Sequence, residues 1–125
     1  MRVLLSIRPE FVSRIFDGSK EYEYRRVIFQ RTDVTTAVVY ASYPIRKVIG
    51  EFDIGEILYE QPQSLWAKTG DRAGITRERF FSYFGKRERG YAIRIKEVRK
   101  YDVPVPLSAL TTLSPPQSFS YLRPL

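Results

Sequence analysis

Arg2-Val3-Leu4-Leu5-Ser6-Ile7-Arg8-Pro9 and, after a short amphipathic stretch, Gly18-Ser19-Lys20-Glu21-Tyr22-Glu23-Tyr24-Arg25 decide how this chain is read. Arg2 to Ile7 is short, apolar and partly β-branched, which predicts a buried strand. Pro9 suits the first turn of a helix, where a missing N–H costs nothing, and Glu10 favours the positive end of the helix dipole. Phe11, Val12, Ile15 and Phe16 form one apolar stripe. Gly18 is placed to end the helix in the left-handed conformation. Pro9 to Asp17 is therefore a short helix. The residues after it alternate: Tyr22 and Tyr24 point one way, Glu21, Glu23 and Arg25 the other, as in a strand.

Outward from this strand–helix–strand unit, Arg26 to Thr35 lacks a period and reads as loop. Thr36 to Ala41 reads as a buried strand broken by Ser42-Tyr43-Pro44. Lys47 to Tyr59 is a long strand whose Gly50 and Gly55 mark bulges or bends. Pro62 to Lys68 is a short helix, followed by loop. Thr76 caps a helix running to Phe84, and Gly90 to Tyr101 alternates as a strand. The tail carries Pro104, Pro106, Pro115, Pro116 and Pro124 and is expected to be extended and irregular, with Phe119, Tyr121 and Leu122 available to pin it. The expected class is α+β, mainly β: a single domain over residues 1–125, forming a closed or partly closed small mixed β-barrel with short helices capping it.

Composition narrows the chemistry. The 125 residues, 43% hydrophobic and 28% charged, make an ordinary globular domain. With no cysteine and no histidine, the chain has no thiol nucleophile, disulfide, Cys/His zinc site or Ser-His-Asp triad. Acid–base work falls to Asp, Glu, Lys or Tyr. The net charge of +7 points to a polyanionic partner. The excess lies in residues 1–31 and 76–101, which would form one positive face if the fold joins them. The opening apolar run is too short for a signal peptide or a membrane span. The expectation is a cytoplasmic protein with no membrane partner.

Gly18, Lys20, Glu23 and Arg25 fit the pattern G-x-K-x-x-E-x-R. With the flanking Leu5-Ser6-Ile7-Arg8-Pro9, Tyr40-Ala41-Ser42, Val48-Ile49-Gly50-Glu51-Phe52, Gly90-Tyr91-Ala92-Ile93 and Pro115-Pro116-Gln117-Ser118-Phe119, this arrangement resembles the ASCH domain family of the PUA-like superfamily. The resemblance implies a cleft beside the barrel that binds RNA, another nucleic acid or a nucleotide-like ligand. Lys20, Glu23 and Arg25 would line its floor, and Ser6, Arg8, Ser42, Tyr43, Gln117 and Ser118 its walls. Some relatives hydrolyse the N4-acetyl group of acetylated cytidine with a threonine where this chain has Glu23, so that activity does not carry over. Others are linked to ribonuclease action. The alternative to a binder is thus a metal-independent hydrolase of a modified nucleoside, of the acetylated-cytidine type, or of RNA, with Lys20 and Glu23 as the catalytic pair. From the residues alone, Glu23 and Arg25 equally suit a structural ion pair with Lys20 solvated.

A second constellation is Lys86-Arg87-Glu88-Arg89 with Arg94, Lys96, Arg99 and Lys100, interleaved with Tyr83, Phe84 and Tyr91. Such a mixture suits single-stranded nucleic acid, with Arg87, Arg89, Arg94 and Lys96 as an outer track. Phe80, Phe81 and Phe84 read as core, and the cations equally as a solvated face. Glu51, Asp53 and Glu56 have carboxylate spacing that suits Mg²⁺, but a solvent-facing strand gives the same spacing, and no metal or cofactor is expected. A different class, a module for acidic protein partners, also fits the charge.

Overall fold

The structure, a computed structural model, describes residues 1–123; Pro124 lies outside the described residues. Six strands and three helices follow one another as β1 (Arg2–Ile7), α1 (Pro9–Phe16), β2 (Tyr22–Arg25), β3 (Thr36–Ala41), β4 (Lys47–Glu60), α2 (Pro62–Thr69), α3 (Arg77–Phe84), β5 (Gly90–Val105) and β6 (Phe119–Leu122). They form one mixed sheet in the order β2-β5-β4-β3-β1-β6, in which only β1 and β3 run parallel. The class is the α+β, PUA-like one expected, but the sheet is not closed: β2 and β6 are its two edges.

The curl of the sheet follows from its apolar pattern. On β1, Val3, Leu5 and Ile7 face the inner core with Val39, Phe52 and Ile93, while Leu4 faces an outer core with Val38, Val48 and Leu122. A strand buried on both faces must be an unbroken apolar run, which is how residues 3–5 read. Helix α1 plugs the inner core with Val12 and Ile15. On the opposite outer face, α2 and α3 cover β2 and β5 through Leu65, Phe80 and Phe84 packed on Tyr22, Tyr24 and Ala92. Phe80 meets Tyr24 edge to face at 4.8 Å between centroids, an arrangement favoured by ring quadrupoles.

Register shifts in β4 fall beside both strand glycines. A methyl group at Gly50 would overlap the Arg99 carbonyl oxygen and come 2.8 Å from Phe16 Cζ. Gly50→Ala is therefore expected to cost about 1–3 kcal/mol, the range for overpacking a tight contact, measured by urea denaturation.

The tail is more ordered than its prolines suggest. β5 continues through Pro104 to Val105, a 3-10 turn spans Leu107–Ala109, and β6 pairs antiparallel with β1 from Arg2↔Leu122 to Leu5↔Phe119. No helix among the described residues is long and apolar enough to cross a membrane.

Candidate functional site

Lys20 reaches its place through the end of α1. Gly18 at φ +87° turns the chain back on the helix, a conformation that costs glycine little. Asp17 accepts from the Ser19 N–H at 2.8 Å, and the Lys20 N–H donates to the Arg14 carbonyl at 3.0 Å. The side chain then passes beneath the turn after α2. Gly74, at φ +62°, lies so close that a side chain there would overlap Lys20. Lys20 Nζ donates to the Ala73 carbonyl at 2.8 Å and stands 5.2 Å and 4.9 Å from the Phe11 and Tyr24 ring centroids. The residue is 2% exposed. Burial lowers its ammonium to about 8; Glu23 pulls against that, while Arg14 and Arg25 add repulsion.

The Tyr24 ring is itself fixed. Thr69 donates to the Leu65 carbonyl at 2.7 Å, which leaves the Tyr24 hydroxyl to donate to Thr69 Oγ1 at 2.6 Å. Burial pushes the Tyr24 phenol up to about 12.

Glu23 and Arg25 lie on the inner face of the sheet, opposite Ile93 and Tyr91 of β5. Arg25 Nε lies 3.0 Å from Glu23 Oε2, with both side chains 9% exposed. The N–H is not aimed along that line, so the contact is ionic and Nε makes no hydrogen bond among the described residues. The other guanidinium nitrogens are used. Nη1 donates to the Ser118 carbonyl and hydroxyl, both at 3.3 Å, and Nη2 to the Ser6 carbonyl at 3.1 Å. Arg25 thus ties the β2 edge to β1 and to the approach of β6. Nearby, the Gln30 and Arg31 N–H groups donate to the Tyr121 hydroxyl at 3.0 and 3.1 Å, and Phe29 packs edge to face on Phe119. Side chains close the seam where the backbone ladder stops.

At this seam opens a cavity of about 820 Å³, the size of a small-ligand site. Ser6, Arg8, Lys20, Glu23, Arg25, Ser42, Gln117 and Ser118 line it, as the pattern places them. Tyr43 does not: it is 74% exposed, beyond the rim, with Arg46 lying over its ring. The lining also includes Phe11, Tyr24, Arg26, Ile75, Arg79, Tyr83 and Arg87, which the motif alone does not reveal. Six cations therefore face one carboxylate, although Arg79 is held by Glu10 through two bonds of 2.8 and 2.9 Å. The early and late basic segments do meet here. Arg26 lies over Tyr83 at 4.7 Å, and Arg87 reaches the Arg26 carbonyl.

The expected outer track divides. Arg87 lines the cavity and Arg89 a neighbouring hollow, whereas Arg94 and Lys96 line neither. Alternation along β5 turns Arg94 to the helical side of the sheet, beside Tyr22, where Gly55 leaves room for it. Glu51 and Asp53 are bound by one guanidinium: Arg99 donates to them at 2.9 and 2.7 Å, and Tyr101 to Glu51 at 3.0 Å. This is the solvent-facing strand pattern with its charges paired. Among the described residues no group of three or more carboxylates lies close enough together to hold a metal ion.

The family model described as a domain of unknown function, DUF365, matches residues 1–115. The large ribosomal subunit protein uL22 of Ureaplasma parvum serovar 3 is 27% identical over 125 residues. That match takes in 97% of this chain, but the chain spans only 39% of the relative's length. A Zymomonas mobilis protein named ASCH domain-containing ribonuclease is 27% identical over 123 residues, covering 96% of this chain and 83% of the relative. The crystal structure of ASCH from Zymomonas mobilis superposes with a TM-score of 0.89 at 28% identity, over 98% of this chain and 87% of the other.

Proposed function

The chain belongs to the DUF365 family and has the ASCH fold, and on that premise we propose that it binds RNA, with one nucleotide seated in the seam cavity. The observation that carries this reading is the imbalance of charge in that cavity: six cations to one carboxylate, with an ammonium held almost out of water beside two aromatic rings. In a low-dielectric hollow such cations attract phosphate far more strongly than on an open surface. Phe11, Tyr24 and Tyr83 offer apolar walls for a base or sugar. The serines and Gln117 offer hydrogen bonds to its edges.

Cleavage is a second reading, favoured by Lys20. An ammonium lowered to about 8 by burial is a good proton donor near neutrality, and a relative carries the name ribonuclease. In this reading Glu23 takes the proton of a ribose 2′-hydroxyl, whose oxygen attacks the adjacent phosphorus. Arg25 faces the charge that gathers on the phosphoryl oxygens. The P–O5′ bond breaks, Lys20 gives its proton to the departing O5′, and the products are a 2′,3′-cyclic phosphate and a 5′-hydroxyl. Amide hydrolysis is not proposed, because a paired carboxylate stands where that chemistry has its hydroxyl.

Fluorescence anisotropy with a labelled single-stranded RNA tests binding. The expected plot of log affinity against log salt is linear, falling with a slope of about −0.7 for each phosphate neutralised. A wild-type protein that does not bind RNA at low salt overturns the proposal. Gel analysis of the same RNA tests cleavage. A cyclic-phosphate product that disappears with Glu23→Gln supports it, and intact RNA with tight binding leaves a binding protein.

A further inference from the structure

A second feature runs outward across the sheet from the cavity. In the ladder Arg25 of β2 lies opposite Tyr91 of β5, and Tyr91 lies opposite Tyr59 of β4. Directly opposed residues share a face, so one guanidinium and two phenol rings make a single cross-strand row that begins at the cavity wall. The two rings are stacked, with centroids 4.4 Å apart and planes 23° from parallel. Tyr59 is 50% exposed. Arg89 lies 5.5 Å from its ring centroid and donates to its carbonyl oxygen at 3.3 Å. Arg87 links the two places: it lines both the cavity and the adjoining hollow of about 520 Å³ that Arg89 also lines. Both arginines are exposed, and Glu88 is the one carboxylate among that hollow's described lining.

We propose that this row is a second station for single-stranded RNA, at which the nucleotide leaving the cavity passes its phosphate along Arg87 and Arg89 and lays its base against Tyr59. The proposal rests on the RNA reading above and deepens it: the substrate is a strand, not a free nucleotide. Stacking on a ring is tolerant of base identity because every base has a π face. Tyr59 is already ordered by Tyr91 and Arg89, so little freedom is lost when a base arrives. The exposed ring, otherwise an apolar surface left in water, gains a partner whose backbone matches the cations beside it.

The test compares uridine monophosphate with a labelled uridine oligonucleotide of about ten residues, within the usual span of such sites. Tyr59→Ala is expected to weaken oligonucleotide binding about 5- to 150-fold, the effect of losing one stacked base, while leaving the monophosphate unaffected. Tyr59→Phe keeps the oligonucleotide affinity, because the ring face is retained. Arg89→Ala flattens the salt dependence by about 0.7, one phosphate's worth. Oligonucleotide binding equal to wild type in both Tyr59→Ala and Arg89→Ala overturns this inference and leaves the cavity reading standing. A wild-type protein that binds neither probe removes the RNA reading and this inference together.

Discussion

Arg25→Met will lose about 3–5 kcal/mol of folding stability, the range found when one partner of a buried ion pair is removed. The loss has two sources. The Glu23 carboxylate loses its one salt-bridge partner among the described residues, at a place where its side chain is 9% exposed, with only the longer-range pull of Lys20 left to it. The seam also loses the bonds to Ser6 and Ser118 that hold β2 beside β1 and β6. The double variant Glu23→Leu with Arg25→Met is expected to recover most of the loss, since an apolar pair of similar volume replaces the ions without an orphaned charge. Urea denaturation of the wild type, the single variant and the double variant measures both effects. A single-variant loss below about 1 kcal/mol, as for surface pairs, would show that water reaches the pair freely. Hydrogen exchange adds a spatial readout: amides of β6 should exchange faster in the single variant, while those of β3 and β4 stay protected.

On the RNA reading proposed above, Lys20→Met will weaken binding at the cavity and, in the same protein, abolish a rise of stability with pH. A lysine in the unfolded chain holds its proton to about 10.5, whereas buried Lys20 gives it up near 8. Below about 8 both states are protonated, and the folded protein bears the full cost of an ammonium buried among rings. Between about 8 and 10.5 the unfolded state binds more protons, so stability rises with pH, by up to about 3 kcal/mol. Tyr24 reverses the trend from about 10 upward. Its phenol is raised to about 12, so the unfolded tyrosine ionises first and stability then falls. The clean window is therefore pH 8 to 10, where wild type gains stability and Lys20→Met does not. RNA affinity should move the opposite way in wild type, weakening above about 8 as the ammonium facing the phosphate is lost. Loss of a hydrogen-bonded, desolvated charge is expected to weaken binding about 30-fold or more, corresponding to 2 kcal/mol or above. Wild-type stability that does not change across that window, with unchanged RNA affinity in Lys20→Met, would place Lys20 in solvent and outside the site.

The parts of the molecule that sequence makes legible are those governed by local rules. Pro9, the stripe from Phe11 to Phe16 and Gly18 each act within a few residues, and α1 with its turn stands where they put it. The charged floor is legible for the same reason: Lys20, Glu23 and Arg25 follow that turn directly, so their convergence depends on little else. What holds Lys20 is not legible. Ala73 and Gly74 are far away in the chain and carry no chemical mark, and only the packing of α2 on the sheet brings their backbone over the ammonium. The late basic run misleads in the opposite way. Its cations look contiguous, yet the alternation of β5 sends Arg94 to the helix-covered face beside Tyr22, where it does not line the cavity. β6 is short and lies among serines and prolines, so its apolar residues show no period of their own. It becomes a strand because β1 offers an unpaired edge, with Leu122 completing the outer core.

The pairing of β1 with β6 has one more consequence. Arg2 stands opposite Leu122, so the first and last strands of the sheet are antiparallel neighbours in one ladder. Two such positions can be joined by a short turn without spreading the sheet, since the gap between them is the width of a strand pair, about 5 Å.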